Sequence, residues 1–324
     1  MNARSATVTV TAPDGLPEVR AGDDLAALVA PVVTPLVDGD VVVVTSKVVS
    51  KAEGRVVAGT REDALSGETD RVVARKGPTR IVRTHHGLIM AAAGIDASNV
   101  EQGSVVLLPL DPDASARGLR TRLRELTGAN VGVVVTDTAG RAWREGQTDI
   151  AIGAAGLLVV EDFAGRVDGH GNELAVTAPA VADEIAGMAE LAQGKLSGRP
   201  VAVVRGRADL VLPPGDHGTG AVALIRAEGA DLFGFGAREA VLRAVAGDPG
   251  DQQVFGTPAG RDELVLALMQ ALGVRADTVT SFDGGCEVRD SDQPALVAVL
   301  AFAHGWVLDA TTGRDRLRLR PMTP

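Results

Sequence analysis

Gly39-Asp40-Val41-Val42-Val43-Val44-Thr45 is the stretch on which the fold turns. Four β-branched residues in a row leave no polar face, which is the pattern of a strand covered on both sides. Covered strands need helices on both faces of their sheet, and the flanking sequence supplies the patterns. Asp23-Asp24 opens a helical run through Leu25, Leu28 and Val29, and Ala114 to Leu126 is helical up to Gly128. Ala180 to Gln193 is helical up to Gly194. Further buried strands are expected at Ile81 to Arg83, Val105 to Leu108, Val131 to Val135 and Val201 to Val204, with a short β-prone run at Thr7 to Thr11. Strands and helices mix without a strict alternation. The expected fold is therefore α+β, a mixed sheet with flanking helices.

The chain changes character at Gly247-Asp248-Pro249-Gly250-Asp251, a turn-rich cluster that reads as a linker. It divides a body at 1–247, closed by a helix from Asp231 to Ala246, from a small C-terminal α/β domain at 248–324. In that tail Asp262 to Leu272 is helical and Pro294 to Ala303 is apolar. Gly305 to Leu308 pairs with Arg316 to Arg320 as a hairpin across Thr311-Thr312-Gly313.

Composition removes several function classes. With no Tyr, two Trp and six Phe in 324 residues, a base-stacking surface is not expected. A formal charge of −10 argues against binding nucleic acid, while leaving room for a nucleotide held by local cations. Cys286 is the only cysteine, so neither an internal disulfide nor a cysteine zinc cluster is expected. Met1 to Val10 lacks the basic and apolar regions of a secretion signal, and no uncharged apolar run reaches the ~18 residues needed to span a bilayer. A cytoplasmic protein without a membrane partner is the expectation.

The chemistry sits in two acidic strings, Gly94-Ile95-Asp96-Ala97-Ser98-Asn99-Val100 and Thr136-Asp137-Thr138-Ala139-Gly140-Arg141. Each embeds an acid among small and hydroxyl residues just after an apolar run. Either Asp alone is an ordinary turn cap. Two together, beside Ser98, Asn99 and Thr138, suit Mg²⁺ or Mn²⁺, which take oxygen ligands and also grip phosphates. Ser46, Ser50, Lys51 and Glu53, on the loop expected after the valine strand, place a mobile cation where phosphate oxygens can meet it. The alternative there is a solvated turn charge. Arg141 and Arg144, on either side of Trp143, set more cations close to Asp137. His85-His86 is read as structural, because neighbours on a strand point to opposite faces.

Taken in order, these strings resemble the coenzyme F420-0:L-glutamate ligase family from about residue 8 to 246. Ser50 to Arg55 and Gly94 to Val100 carry the likeness most specifically, and Val203-Val204-Arg205-Gly206 shares it. The resemblance implies a mixed α+β fold, a homodimer, and a GTP-dependent ligase adding L-glutamate to F420-0 and then further glutamates through γ-linkages. By motif it implies that Asp96 and Asp137 ligate one divalent metal, with Thr138 serving a second and K⁺ as a further cation. Leu16, Pro17, Glu18 and Val19 would line the guanine pocket, and Ser46, Lys51 and Asn99 would contact the nucleotide. A glycine-rich turn containing Gly218 and Thr219 would close over GTP. Relatives fused to a flavin domain have a much longer tail, so no FMN is expected. Ala92 stands where the family often places Asn, and Leu210 to Gly220 departs from the family's turn.

Two rival readings keep some of these residues. A metal-dependent phosphohydrolase would use water in place of the amine. A non-catalytic regulatory protein would bind nucleotide without turning it over.

Overall fold

The computed structural model describes residues 7–227, 229–231, 233–311 and 316–322. Its centre is the strand Val41–Thr45, in a five-stranded mixed sheet. Gly132–Gly140 runs parallel to it on one side and Val201–Arg205 antiparallel on the other. Gln147–Ala155 and Thr9–Thr11 close the two edges, each antiparallel to its neighbour. The valine run sorts the core. Val42 and Val44 pack with Val133 and Val135 against the helices Leu25–Val33 and Pro112–Thr127. Val41 and Val43 pack with Val134, Ala202 and Val204 against the helix Val181–Gln193. Burial of each such side chain stabilises the fold by roughly 1.5–3 kcal/mol, so the run anchors both layers.

Local chemistry sets the helix ends. Asp24 accepts from the Ala27 amide at 3.1 Å, and Asp111 accepts from Ala114 at 2.8 Å just before Pro112. Gly128 ends that second helix at φ 77°, a left-handed value that suits glycine.

Three features differ from the sequence expectation. Ser46 to Arg55 is not a loop: a helix, Ser46–Ala52, begins directly after the strand. Val48 and Val49 turn into the core, and an apolar pair of that size is too short a pattern to announce a helix. The strand Gly132–Gly140 also continues past its valines, so Asp137 lies within it rather than after it. The cause is pairing with Gln147–Ala155, where Thr136 faces Ala151 and Thr138 faces Asp149. One residue of that partner, Ile152, has no counterpart: Gly153 pairs with Val135 and Ala151 with Thr136, a β-bulge.

Smaller elements carry the other acidic string. Thr69–Lys76, Thr79–Thr84 and Ile89–Ala91 form a three-stranded sheet, and Val56–Ala58 pairs with Ser104–Val106. Asp96 is tied to Val106 by backbone bonds of 3.0 and 2.7 Å.

The third difference is the division of the chain, which falls into compact units Met1–Ile225 and Arg226–Pro324 rather than at 247/248. The expected closing helix is shorter, Ala237–Ala246, and lies in the second unit. Gly234 and Gly236 disfavour helix before it, and Leu232 lies outside the described residues. Edge-to-face rings of Phe235 on Phe255 and Phe255 on Phe302, and an Arg243–Asp251 ion pair at 3.2 Å, join this region to the rest of its unit. There a four-stranded antiparallel sheet runs in the order Val279–Phe282, Gly285–Arg289, Arg316–Pro321, Trp306–Thr311. Cys286, Val288, Leu317 and Leu319 face the helices Arg261–Leu272 and Pro294–Ala303. The expected hairpin strands pair, while the turn at Thr312-Gly313 lies outside the described residues. The whole is α+β. Among the described residues no helix is long and apolar enough to cross a membrane.

Candidate functional site

The strand Val41–Thr45 ends with Thr45 beside Thr136, while its parallel partner Gly132–Gly140 runs on past it. At that end Ser46 Oγ donates to Asp137 Oδ1 at 2.8 Å, so the first residue of the new helix fixes the carboxylate. Burial pushes the Asp137 carboxyl up to about 7, and the charges of Asp149 and Asp96 push the same way. Only the Ser46 bond and the Lys195 charge oppose them. This is a carboxylate short of positive partners.

Asp96 is placed by its own turn. Its carboxylate accepts from the Ser98 amide at 2.8 Å and from Ser98 Oγ at 2.7 Å. Lys47 Nζ lies 2.6 Å from Asp96 and 2.7 Å from Ser98 Oγ. Burial would raise this carboxyl, but the bonds from Lys47 and Ser98 outweigh it and hold it below the usual carboxylate range. The turn is entered through Ala92 and Ala93 at φ 50° and 54°, a left-handed pair that Asn tolerates better than Ala.

The other face of the sheet holds a second set. Asp149, 3% exposed, accepts from Thr138 Oγ1 at 2.7 Å and from Thr136 Oγ1 at 3.1 Å. Lys195, just beyond the helix Val181–Gln193, donates to Thr138 Oγ1 at 2.7 Å. Glu190, on that helix, has its carboxyl raised first by burial and then by the Asp149 charge.

The structure thus gathers Asp96, Asp137, Thr138 and Ser46 at one end of the sheet. Lys51 is close by along the same short helix but pairs with Glu18 at 2.5 Å, which brings the Leu16–Val19 segment to it. Asn99 is exposed at φ 56°. Gly218 and Thr219 are not brought in. His217 C=O accepts from the Gly156 amide at 2.8 Å, and Gly156 follows the end of Gln147–Ala155 that pairs with Val133, away from Asp137. Buried Arg120 straps that segment by donating to the carbonyls of Leu212, Pro213 and Asp216. The turn rich in glycine that does approach the acids precedes the last sheet strand: Gly194-Lys195-Leu196-Ser197-Gly198.

Sequence reading missed Lys47, Asp149, Glu190 and Lys195. Asp149 carried a weaker form of the signal of the two acids that were found, an acid beside Thr148 but before its apolar run rather than after it. Lys47 was masked by reading its segment as a loop, where Lys51 looked equivalent. The histidines lie in the turn after Thr79–Thr84 rather than on a strand, where His86 Nε2 meets the Pro109 carbonyl at 2.8 Å and His85 Nε2 the Gly67 carbonyl at 3.0 Å. Cavities of about 410 and 270 Å³ lie elsewhere, the first lined by Arg120, Asn130 and His217.

Among the described residues no three His, Cys, Asp or Glu side chains already converge on one point. The donor chemistry nevertheless fits a hard divalent cation. Carboxylate and hydroxyl oxygens cluster, and burial first, then the charges of Asp149 and Asp96, lift Asp137 to about 7. In the arrangement described, Lys47 and Lys195 supply the countercharge.

The sequence matches a family model described as F420-0:Gamma-glutamyl ligase over residues 15–64 and 61–206. It is 45% identical over 214 residues to the coenzyme F420:L-glutamate ligase of Archaeoglobus fulgidus, covering 60% of this chain and 85% of that one. The Methanopyrus kandleri protein of the same name is 41% identical over 238 residues, 67% of this chain and 93% of its own. The Halobacterium salinarum protein, also so named, is 43% identical over 218 residues, 59% and 84% of the two chains. All these matches rest on a chain that also carries the gathered acids, and the chain belongs to the F420-0:gamma-glutamyl ligase family.

Proposed function

We propose that this protein is a GTP-dependent ligase joining L-glutamate to coenzyme F420-0 and then adding γ-linked glutamates. The observation that supports it best is the acid cluster at the sheet end, flanked by Lys47 at Asp96 and Lys195 at Thr138. Such a site binds a triphosphate together with cations. On the same reading it acts in the cytoplasm as a homodimer, with K⁺ as a further cation.

A carboxylate does not condense with an amine unaided, because hydroxide is a poor leaving group. In the proposed sequence a carboxylate oxygen of F420-0 attacks the γ-phosphorus of GTP, and GDP leaves with the β–γ bridging oxygen. The glutamate amine then attacks the acyl carbon; the C–O bond to phosphate breaks, and inorganic phosphate leaves as the amide forms and the amine loses its proton. Lysine ammoniums on both faces of the sheet end offset the phosphate charges as point charges. Ser46 orients Asp137, and Ser98 with Lys47 orients Asp96. One Mg²⁺ or Mn²⁺ held by Asp96 and Asp137, and a second served by Thr138 on the other face beside Asp149, would supply charge neutralisation at the transferring phosphoryl group.

The test is GTP turnover and product mass with F420-0, Mn²⁺ and L-glutamate. Product requires the amino acid; GTP hydrolysis at the same rate without it would make the protein a phosphohydrolase. Asp96→Ala is expected to lower turnover by about 10²–10³, the scale of one preorganised electrostatic group. Full turnover in that variant at saturating metal would remove Asp96 from the mechanism.

A further inference from the structure

The second unit is poor in countercharge for an anion when counted whole: residues 226–324 hold ten Arg, no Lys and fourteen Asp or Glu. Its arginines are not spread evenly. One face of its sheet packs on helices through Cys286, Val288, Leu317 and Leu319, so alternation sends Glu287, Arg289, Arg316, Arg318 and Arg320 to the other. Four guanidiniums there face two acids, Glu287 and Asp309.

Three details set this face apart from a scattered surface charge. Arg289 and Arg316 are directly opposite each other across the strand pair, an arrangement that costs stability unless an anion lies over it. Arg318 and Arg320 stand over the Phe282 ring, 5.3 and 5.2 Å from its centroid, which holds both guanidiniums in place. All the cations are arginines, whose planar fork matches a carboxylate in a way that an ammonium does not. Along one strand, alternate residues such as Arg316, Arg318 and Arg320 recur every 6.4–6.8 Å or so. The repeat of a γ-linked glutamate chain spans five backbone bonds, about 6 Å when extended, with one free carboxylate each time.

We infer that this arginine-lined sheet face is a binding surface for a chain of γ-linked glutamates. The occupant rests on the proposed reaction, which builds that chain; the surface itself rests on charge and spacing alone. Glu287, bracketed by Arg289 at 2.9 Å and Arg318 at 3.3 Å, occupies two of the forks in the free protein and is displaced by the ligand's carboxylates.

The experiment is fluorescence anisotropy of a labelled tetra-γ-L-glutamate peptide titrated with the full chain. Wild type binds, more weakly as salt rises. Arg316→Gln/Arg318→Gln binds about tenfold or more weakly, while Arg316→Lys/Arg318→Lys falls between, having charge without the fork. Glu287→Gln binds more tightly, because it frees two guanidiniums; a purely structural face would not give that gain. An α-linked tetraglutamate binds less well than the γ-linked one. Equal binding of the two peptides, or of wild type and the double Gln variant, overturns the assignment. Wild type that does not bind the γ-linked peptide overturns it too, as does a double Gln variant whose only change is oligomeric state. Addition of the first glutamate by the double Gln variant proceeds at the wild-type rate. Absence of that addition in wild type would count against the ligase reading, while peptide binding would still decide this one.

Discussion

Replacing Asp137 by Asn separates stability from activity in a way that the geometry dictates. The carboxyl rises from 3.8 in the unfolded chain to about 7 in the fold, chiefly by burial and then by Asp149 and Asp96. A raised acid favours the folded state below the unfolded value, and that contribution is lost as pH rises through the folded one. About three pH units at 1.36 kcal/mol each give an upper bound of about 4 kcal/mol. Reorientation of neighbours and water entry reduce this, and about 2 kcal/mol is the expected remainder. Asn cannot ionise and still accepts from Ser46 Oγ. In EDTA at pH 8 the Asp137→Asn protein should therefore melt about 4–8 °C above wild type, with the gap closing near pH 4. Mn²⁺ should raise the wild-type transition and leave the variant's unmoved, while the variant loses glutamate-dependent GTP turnover. Calorimetry across that pH range is the assay. A variant no more stable than wild type at pH 8, or a gap independent of pH, would show that the acids do not crowd Asp137 as described.

Other outcomes follow from the same contacts. Lys47→Met should cut turnover by roughly tenfold to a hundredfold, the loss of one charged hydrogen bond at Asp96; steady-state kinetics showing wild-type rates would exclude that role. Ala92→Asn should add about 0.5–1 kcal/mol in urea unfolding, since Asn accepts a left-handed backbone more readily. A Cβ on Gly153 would lie 2.3 Å from the Pro112 carbonyl oxygen, so Gly153→Ala should cost about 1–3 kcal/mol, seen as a lower melting temperature.

The central layers were legible because valine runs and capped amphipathic helices state burial directly. Val41 to Val44, Pro112–Thr127 and Val181–Gln193 formed where the patterns put them, within a few residues. Ser46–Ala52 was not legible, because a seven-residue helix buries too little to leave a period. Asp96 and Asp137 were legible as candidates, and their approach across the fold came from tertiary structure. The misplacement of Gly218 and Thr219 has a similar cause. Glycine-rich turns look alike in sequence, and it is Arg120 that decides which end of the sheet this one joins. The second unit's start was hidden because helix Ala237–Ala246 is amphipathic enough to pass as the close of either unit.

The single unmatched residue Ile152 has a consequence for how carboxylates are shared out. Were Ile152 paired with Thr136 instead of left out of the ladder, Asp149 would oppose Ala139 and emerge beside Asp137, on the side of Leu25–Val33. Leaving Ile152 unpaired puts Asp149 opposite Thr138 and so sends the two acids to opposite sides of the same two-strand ribbon. Each can then recruit its own positive partner, so a local hitch in register sets the charge capacity of this end of the protein.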